Sequence, residues 1–296
     1  MKICIVTDIE GVAGVVSHAD HSFPTGKYYG DSKRLLTGEV NAAVEGLLAE
    51  GIEEVLVIDG HGPGAIQFEE LHPRALLLHG RPITYRQMVE PMWEYDAVAL
   101  VGQHARAGVR YGNQNHTMDS ANVDWMKLND RLIGETAIVA LIAGARHIPL
   151  IFLSGDEAAC EEAREDVPGI WTVAVKKGIS TNVEIALSAQ ASREKIREEI
   201  SGAVRSHREK PVPPLQWPSP YRLEIRWKST QQADLFEHQW DGERVDDQTV
   251  AFSSAEIMDV LFYRNRSGRS DRSECNEVSQ RDSPLFRKAA VDLVVR

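Results

Sequence analysis

Lys2-Ile3-Cys4-Ile5-Val6-Thr7-Asp8-Ile9-Glu10-Gly11 begins as an apolar, β-branched run, passes through two carboxylates one residue apart, and closes on glycine. The apolar part reads as a strand buried on both faces, as in a parallel sheet covered by helices. Side chains alternate along a strand, which puts Asp8 and Glu10 on one side at its carboxyl end. In open α/β sheets, ligands collect at the carboxyl ends of the strands. Neighbouring carboxylates repel unless a cation sits between them, so the pair reads as metal ligands. The alternative is a solvated pair in which Asp8 caps a turn.

The same design recurs downstream. A long loop from 11 to 30 carries His18 and His21, read as solvent-exposed, with substrate or metal contact as the alternative. Leu36, Val40, Val44, Leu47 and Leu48 then recur at helical spacing up to Gly51. Glu54-Val55-Leu56-Val57-Ile58 is a second strand running into Asp59-Gly60-His61. Strand, helix, strand is a βαβ unit with a right-handed crossover. His61 therefore lies at a strand end like Asp8 and Glu10, as a metal ligand or a satisfied polar residue. Asp59 either supports a ligand histidine or forms a local turn. A short strand at 75–78 and a helix over 84–94, disturbed by Pro91, lead to the apolar strand 96–102. That strand ends in Gln103-His104. Three apolar strands thus terminate in metal-type side chains, and the repetition carries more than any one of them.

Beyond them, His116 lies in a polar loop, as proton carrier, metal ligand or surface histidine. Residues 123–128 and the turn Asn129-Asp130 read as a hairpin. Glu135 opens the apolar helix 136–145, complementing its dipole or projecting as a carboxylate ligand. Strands at 149–153 and 171–175 follow, with a helix at 157–165 and Asp156 as its N-cap. A long charged helix occupies 182–208, beginning irregularly, and Pro211-Val212-Pro213-Pro214 breaks the chain. Residues 221–227 alternate with period two, as a half-exposed antiparallel strand, before a strand at 249–252 and a helix from 254 to 262. The expected fold is α/β: a mostly parallel sheet with helices on both faces, plus a smaller C-terminal α+β module. The expected domains are a catalytic one over 1–210, the module over 211–264 and a polar, flexible tail over 265–296.

Composition narrows the partners. A net charge of −11, from 33 basic and 44 acidic residues, speaks against nucleic acid. No apolar run is long enough to span a bilayer, and the amino terminus lacks the pattern of a signal peptide. Cys4, Cys160 and Cys275 form neither a disulfide framework nor a zinc motif, so a reducing, cytoplasmic setting is expected.

Mixed carboxylates and imidazoles suit zinc, with manganese or cobalt as alternatives, better than magnesium or calcium. Asp8, Glu10, His61, His104 and Glu135 exceed what one catalytic zinc uses, because such a site keeps an open position. Two ions sharing a carboxylate are the more economical reading. Paired ions lower the pKa of a shared water and polarise a carbonyl, which is hydrolytic chemistry. The rival readings are a dinuclear hydrolase of L-peptides or other amides, a phosphoesterase, and a non-catalytic metal-stabilised assembly protein. The phosphoesterase ranks below the amide hydrolases, because Arg106 alone supplies positive charge near the motifs.

Thr7-Asp8-Ile9-Glu10-Gly11, Asp59-Gly60-His61, Gly102-Gln103-His104-Ala105-Arg106, Asn115-His116-Thr117-Met118, Leu128-Asn129-Asp130 and Gly134-Glu135 occur in that order. Together with Gly155-Asp156 and Ala174-Val175-Lys176, they resemble the D-aminopeptidase family of zinc metallopeptidases over roughly residues 1–262. The resemblance implies a zinc pair, two ions per subunit, bridged by Asp8. Glu10, His61, His104 and Glu135 would be the other ligands and His116 the catalytic residue. It implies hydrolysis of short peptides carrying N-terminal D-amino acids such as D-Ala, and a homo-oligomer, a homodecamer, with its sites facing an inner channel.

Overall fold

The computed structural model describes residues 1–263. The expected tail over 265–296 and Cys275 lie outside the described residues. The chain opens with β1 (Lys2–Thr7), a single turn of π-helix at His18–Ser22, α1 (Tyr29–Ala49), β2 (Glu54–Asp59), β3 (Ala75–Leu78), α2 (Tyr85–Val89) and β4 (Ala97–Gln103). It continues with β5 (Val123–Leu128), β6 (Arg131–Leu132), α3 (Glu135–Gly144), β7 (Leu150–Asp156), α4 (Glu157–Asp166), β8 (Trp171–Ser180) and β9 (Val183–Ala186). Then come α5 (Ala189–Glu209), β10 (Tyr221–Trp227), α6 (Thr230–Trp240), β11 (Glu243–Arg244), β12 (Thr249–Ser254) and α7 (Ile257–Leu261).

Among the described residues, seven strands form the main sheet in the order β3-β2-β1-β4-β7-β8-β9. Every pairing in it is parallel except β8 with β9. β1, β2, β4 and β7 are buried almost throughout, which explains their unbroken apolar sequences. The chain moves one way across the sheet from β1 to β2, and the other way from β4 through β7 to β8. Right-handed crossovers therefore place α1 on one face and α3 and α4 on the other. α5 packs along α1, where Ser201 donates to the Gly46 carbonyl at 2.9 Å. The strand order reverses between β1 and β4, the kind of switch point at which such sheets bind ligands.

The second sheet is antiparallel, in the order β11-β12-β10-β5-β6. It joins strands from both sides of Pro211, because the 123–132 hairpin pairs with β10 rather than with the main sheet.

Several local expectations are corrected. β1 stops at Thr7, so Asp8 and Glu10 converge through the turn after the strand and not through strand alternation. That turn lies tightly against β4, with Asp8 N donating to Val101 O and Gly11 N to Gly102 O. A side chain at Gly11 would strike the Gln103 carbonyl, and one at Gly102, whose φ is +82°, would strike the Asp8 carbonyl. Only glycine lets the two segments approach this closely. The helix expected over 84–94 is α2 followed by a 3-10 turn at Glu90–Glu94, since Pro91 has no N–H to continue an α-helix. Residues 183–186 are β9, and α5 begins only after Ser188, whose side chain accepts from Ala191 N. The final helix is shorter than expected, at Ile257–Leu261. α6 was not foreseen, although Ser229 caps Gln232 N and apolar residues recur at 233, 236 and 240.

Candidate metal centre

Asp8, Glu10, His61, His104, His116 and Glu135 come together at the carboxyl edge of β1, β2 and β4. Asp8 Oδ1 lies 3.2 Å from His61 Nδ1, and its Oδ2 lies 3.1 Å from His104 Nε2. Glu10 Oε2 is 3.3 Å from His61 Nδ1. Glu135, the first residue of α3, has Oε1 at 3.4 Å from His104 Nε2 and 3.8 Å from His116 Nε2. The same oxygen accepts from Met118 N at 2.7 Å, which ties α3 to the His116 loop. Three sets of donor atoms are close enough to hold an ion: Asp8–Glu10–His61, Asp8–His104–Glu135 and Glu10–His104–His116. Asp8 belongs to the first two.

The histidines are oriented by the backbone. His61 Nε2 contacts the Ser22 carbonyl at 2.7 Å, His104 Nδ1 the Ala105 carbonyl at 2.9 Å and His116 Nδ1 the Gln114 carbonyl at 2.9 Å. A carbonyl only accepts, so in each ring the nitrogen facing it carries the proton. In His61 and His104 the other nitrogen then meets a carboxylate oxygen at 3.2 Å and 3.1 Å, and a second proton or a cation must lie between them. Without a cation, burial works against a charged His61, but Glu10 and Asp8 overcome it and hold its pKa well above the imidazole norm. His104 is raised in the same way, burial being outweighed by Glu135 and Asp8. Burial would raise Asp8, yet the neighbouring imidazoles of His104 and His61 hold it well below the carboxylate norm.

The donor set fits divalent ions. Glu10 Oε2 and His104 Nε2 are buried with no hydrogen-bond partner, as atoms awaiting a metal would be. Three carboxylates with imidazoles suit zinc, manganese or cobalt.

A sequence profile of D-aminopeptidases matches residues 1–264. A D-aminopeptidase of Bacillus subtilis strain 168 is 31% identical over 239 residues, covering 79% of this chain and 84% of that protein. The chain belongs to the D-aminopeptidase family. Its fold also matches the solved structure of the zinc-dependent D-aminopeptidase DppA from Bacillus subtilis, described as a self-compartmentalizing protease. The TM-score is 0.83 at 28% identity, covering 89% of this chain and 95% of the other. Membership makes the protein an enzyme of the metal-dependent aminopeptidase class.

In this family member, side chains without an assigned role from sequence hold the centre in place. Lys176 on β8 is buried, and its Nζ donates to the carbonyls of Glu10 and Val15 and to Asn113 Oδ1, and pairs with Glu184 Oε2 at 3.1 Å. Burial lowers its pKa, with Glu184 opposing. The ammonium thus ties the loop bearing Glu10 to the loop bearing His116. Gln114 repeats that tie, donating to Val15 O at 2.9 Å and accepting from Ser22 Oγ at 2.8 Å. His18 also faces the site, contrary to its reading as a solvent-exposed loop residue. Burial, then the neighbouring His116 and His104, push its pKa down to about 4. Asp59 accepts from Ala65 N and Ile66 N, so it fixes the loop after β2 and does not hold His61. Asp156 stands at the N-cap of α4 but makes no capping bond, and its Oδ1 accepts from Gly178 N at 3.1 Å instead. The local trace of Lys176 is slight: it directly follows the apolar run Val173-Ala174-Val175, but Lys177 stands beside it, so nothing in the sequence marks it as the one that is buried.

Proposed function

We propose that the protein is a dinuclear zinc aminopeptidase that removes N-terminal residues, D-amino acids such as D-Ala, from short peptides. One observation carries the reading: Asp8 is common to Asp8–Glu10–His61 and Asp8–His104–Glu135, so its two oxygens address two ion positions. The Bacillus subtilis relative is described as zinc-dependent, which supports zinc as the metal.

When bound, paired divalent ions supply Lewis acidity at the scissile carbonyl and a water of lowered pKa. The residues do the rest. Asp8 and Glu10 offset the charge on the side of His61, and Asp8 with Glu135 on the side of His104. His116 keeps its Nδ1 proton on the Gln114 carbonyl and turns Nε2 inward, where that nitrogen would take the proton released by the attacking water and hand it to the leaving amine nitrogen. Its ring is stacked on His104, so that nitrogen is fixed relative to the ligand set.

We read the assembly as a homo-oligomer, a homodecamer. The relative's self-compartmentalizing character supports this. So does the edge strand β9, whose Val183 and Ile185 are 51% and 66% exposed and suited to burial against further copies of the chain. A cytoplasmic setting is supported by the free buried Cys4 and Cys160. No helix among the described residues is long and apolar enough to cross a membrane.

The test is hydrolysis of D-alanyl and L-aminoacyl dipeptides with added zinc and with chelator, alongside mass determination by light scattering. Zinc-dependent cleavage of the D-alanyl series is expected. Cleavage that survives exhaustive chelation, or none of either series with zinc present, sinks the reading.

A further inference from the structure

His18 sits on the π-helical turn after β1, and its ring closes one wall of the metal centre. Its Nδ1 is buried and has no hydrogen-bond partner. That nitrogen faces Glu10 Oε1 at 3.7 Å, beyond direct hydrogen-bond reach. The ring stands edge-on to His116, with centroids 5.0 Å apart, and tilts against Phe23 at 6.1 Å. Its segment is anchored at Ser22, whose hydroxyl donates to Gln114 and whose carbonyl holds His61 Nε2. The imidazole is therefore placed by the same turn that orients a ligand histidine.

Glu10 divides its oxygens. Oε2 faces His61, on the side of the donor set, and Oε1 faces His18. A carboxylate oxygen and an imidazole lone pair at this separation accept from one shared donor seated about 2.9 Å from each. A primary amine, with more than one N–H on a single atom, is such a donor. An aminopeptidase needs acceptors of this kind, because a free amine is what distinguishes its substrate from the interior of a peptide.

The geometry points to His18 as a substrate-binding residue that, with Glu10 Oε1, accepts hydrogen bonds from the free α-amine of the residue to be removed. The inference rests on the aminopeptidase reading above. Losing one of two acceptors for a polar amine weakens binding about tenfold.

The test uses the zinc-loaded full chain and calorimetric titration with D-alanine and with propionate, its counterpart without the amine. Wild type should bind D-alanine more tightly. His18→Ala should bind D-alanine about tenfold more weakly, with propionate affinity and zinc content unchanged. KM for a D-alanyl dipeptide should rise more than kcat falls. His18→Gln, which keeps an acceptor oxygen, should recover part of the loss. Equal weakening of both ligands, loss of zinc, or unchanged D-alanine affinity in His18→Ala overturns the assignment, as does a wild type that does not distinguish the two ligands. Wild type that cleaves aminoacyl peptides while His18→Ala binds normally sinks this inference alone. Wild type that cleaves none sinks the parent reading as well.

Discussion

The imidazole of His116 lies nearly parallel to that of His104, with ring centroids 3.9 Å apart and planes 14° from each other. One ring turns its free nitrogen to Asp8 and Glu135, the other to Glu135 alone at 3.8 Å. The stack separates two roles: His104 meets two carboxylates at short range, and His116 sits behind it with looser contact. His116→Ala should therefore keep its zinc while kcat falls by about 10²-fold or more, the usual worth of a positioned proton donor. His116→Phe preserves the stacked face without a nitrogen and should be equally impaired. Metal analysis alongside turnover decides the matter. A Phe variant with near-normal kcat would show that packing, not proton transfer, is the contribution.

Asp8 stands in two of the candidate donor sets and His61 in one. Removing the shared ligand should cost both ions, and removing the unshared ligand mainly one. Zinc content after gel filtration should be near two per chain in wild type, close to one in His61→Ala and below one in Asp8→Ala. Two equivalents retained by Asp8→Ala would rule out the bridge.

Much of this centre could be read from sequence because the main sheet is parallel and buried. Apolar runs with no alternation located β1, β2 and β4, and the residues after them were then tied to one edge. Sequence could not show how Asp8 and Glu10 turn toward each other. Their convergence depends on a backbone contact between the Gly11 and Gly102 segments, far apart in the chain. His18 reads from sequence as solvent-exposed first, and as a substrate or metal contact only second, for a related reason. A histidine in a glycine-bounded loop looks the same whether the loop faces water or folds over a site, and only the anchoring of Ser22 to Gln114 and His61 separates the two. The 123–132 hairpin was legible as a hairpin, but its partner β10 lies beyond a proline break, and pairing across such a distance leaves no local trace.

Lys176 and Glu184 are a buried pair whose ammonium also serves two carbonyls and Asn113. Lys176→Met leaves a buried carboxylate unpaired and frees the loop carrying Glu10. Destabilisation of about 3–5 kcal/mol is expected, measured by denaturant unfolding in chelator, together with weaker zinc binding. Replacing Glu184 by Leu in the same chain should recover part of the stability but not the zinc affinity, because the Glu10 and Val15 carbonyls still lack the ammonium and keep only Gln114 as donor. Recovery of both would mean that the pair does not position the loop.

Glu39 on α1 offers a pH test away from the candidate ion ligands. It is 1% exposed, and its Oε1 accepts from Ala13 N at 3.3 Å. Burial pushes its carboxyl from 4.5 up to about 7, against the pull of Ser192 and the Ala13 amide. The folded chain therefore binds more protons than the unfolded chain between these values, and stability falls as pH rises. Its contribution is fully present below about pH 4.5, the unfolded value, and is lost as pH climbs through about 7. Glu39→Gln keeps an oxygen for the Ala13 amide and removes the titration. The stability of the variant relative to wild type should rise across this window, by about 3 kcal/mol in all, and level off above it. Paired denaturant curves at several pH values, with chelator in both samples, cancel every titration the two proteins share. A difference that stays flat from pH 4.5 to 8 would show that Glu39 ionises without penalty, and that its burial is relieved by Arg193 and Lys176 nearby.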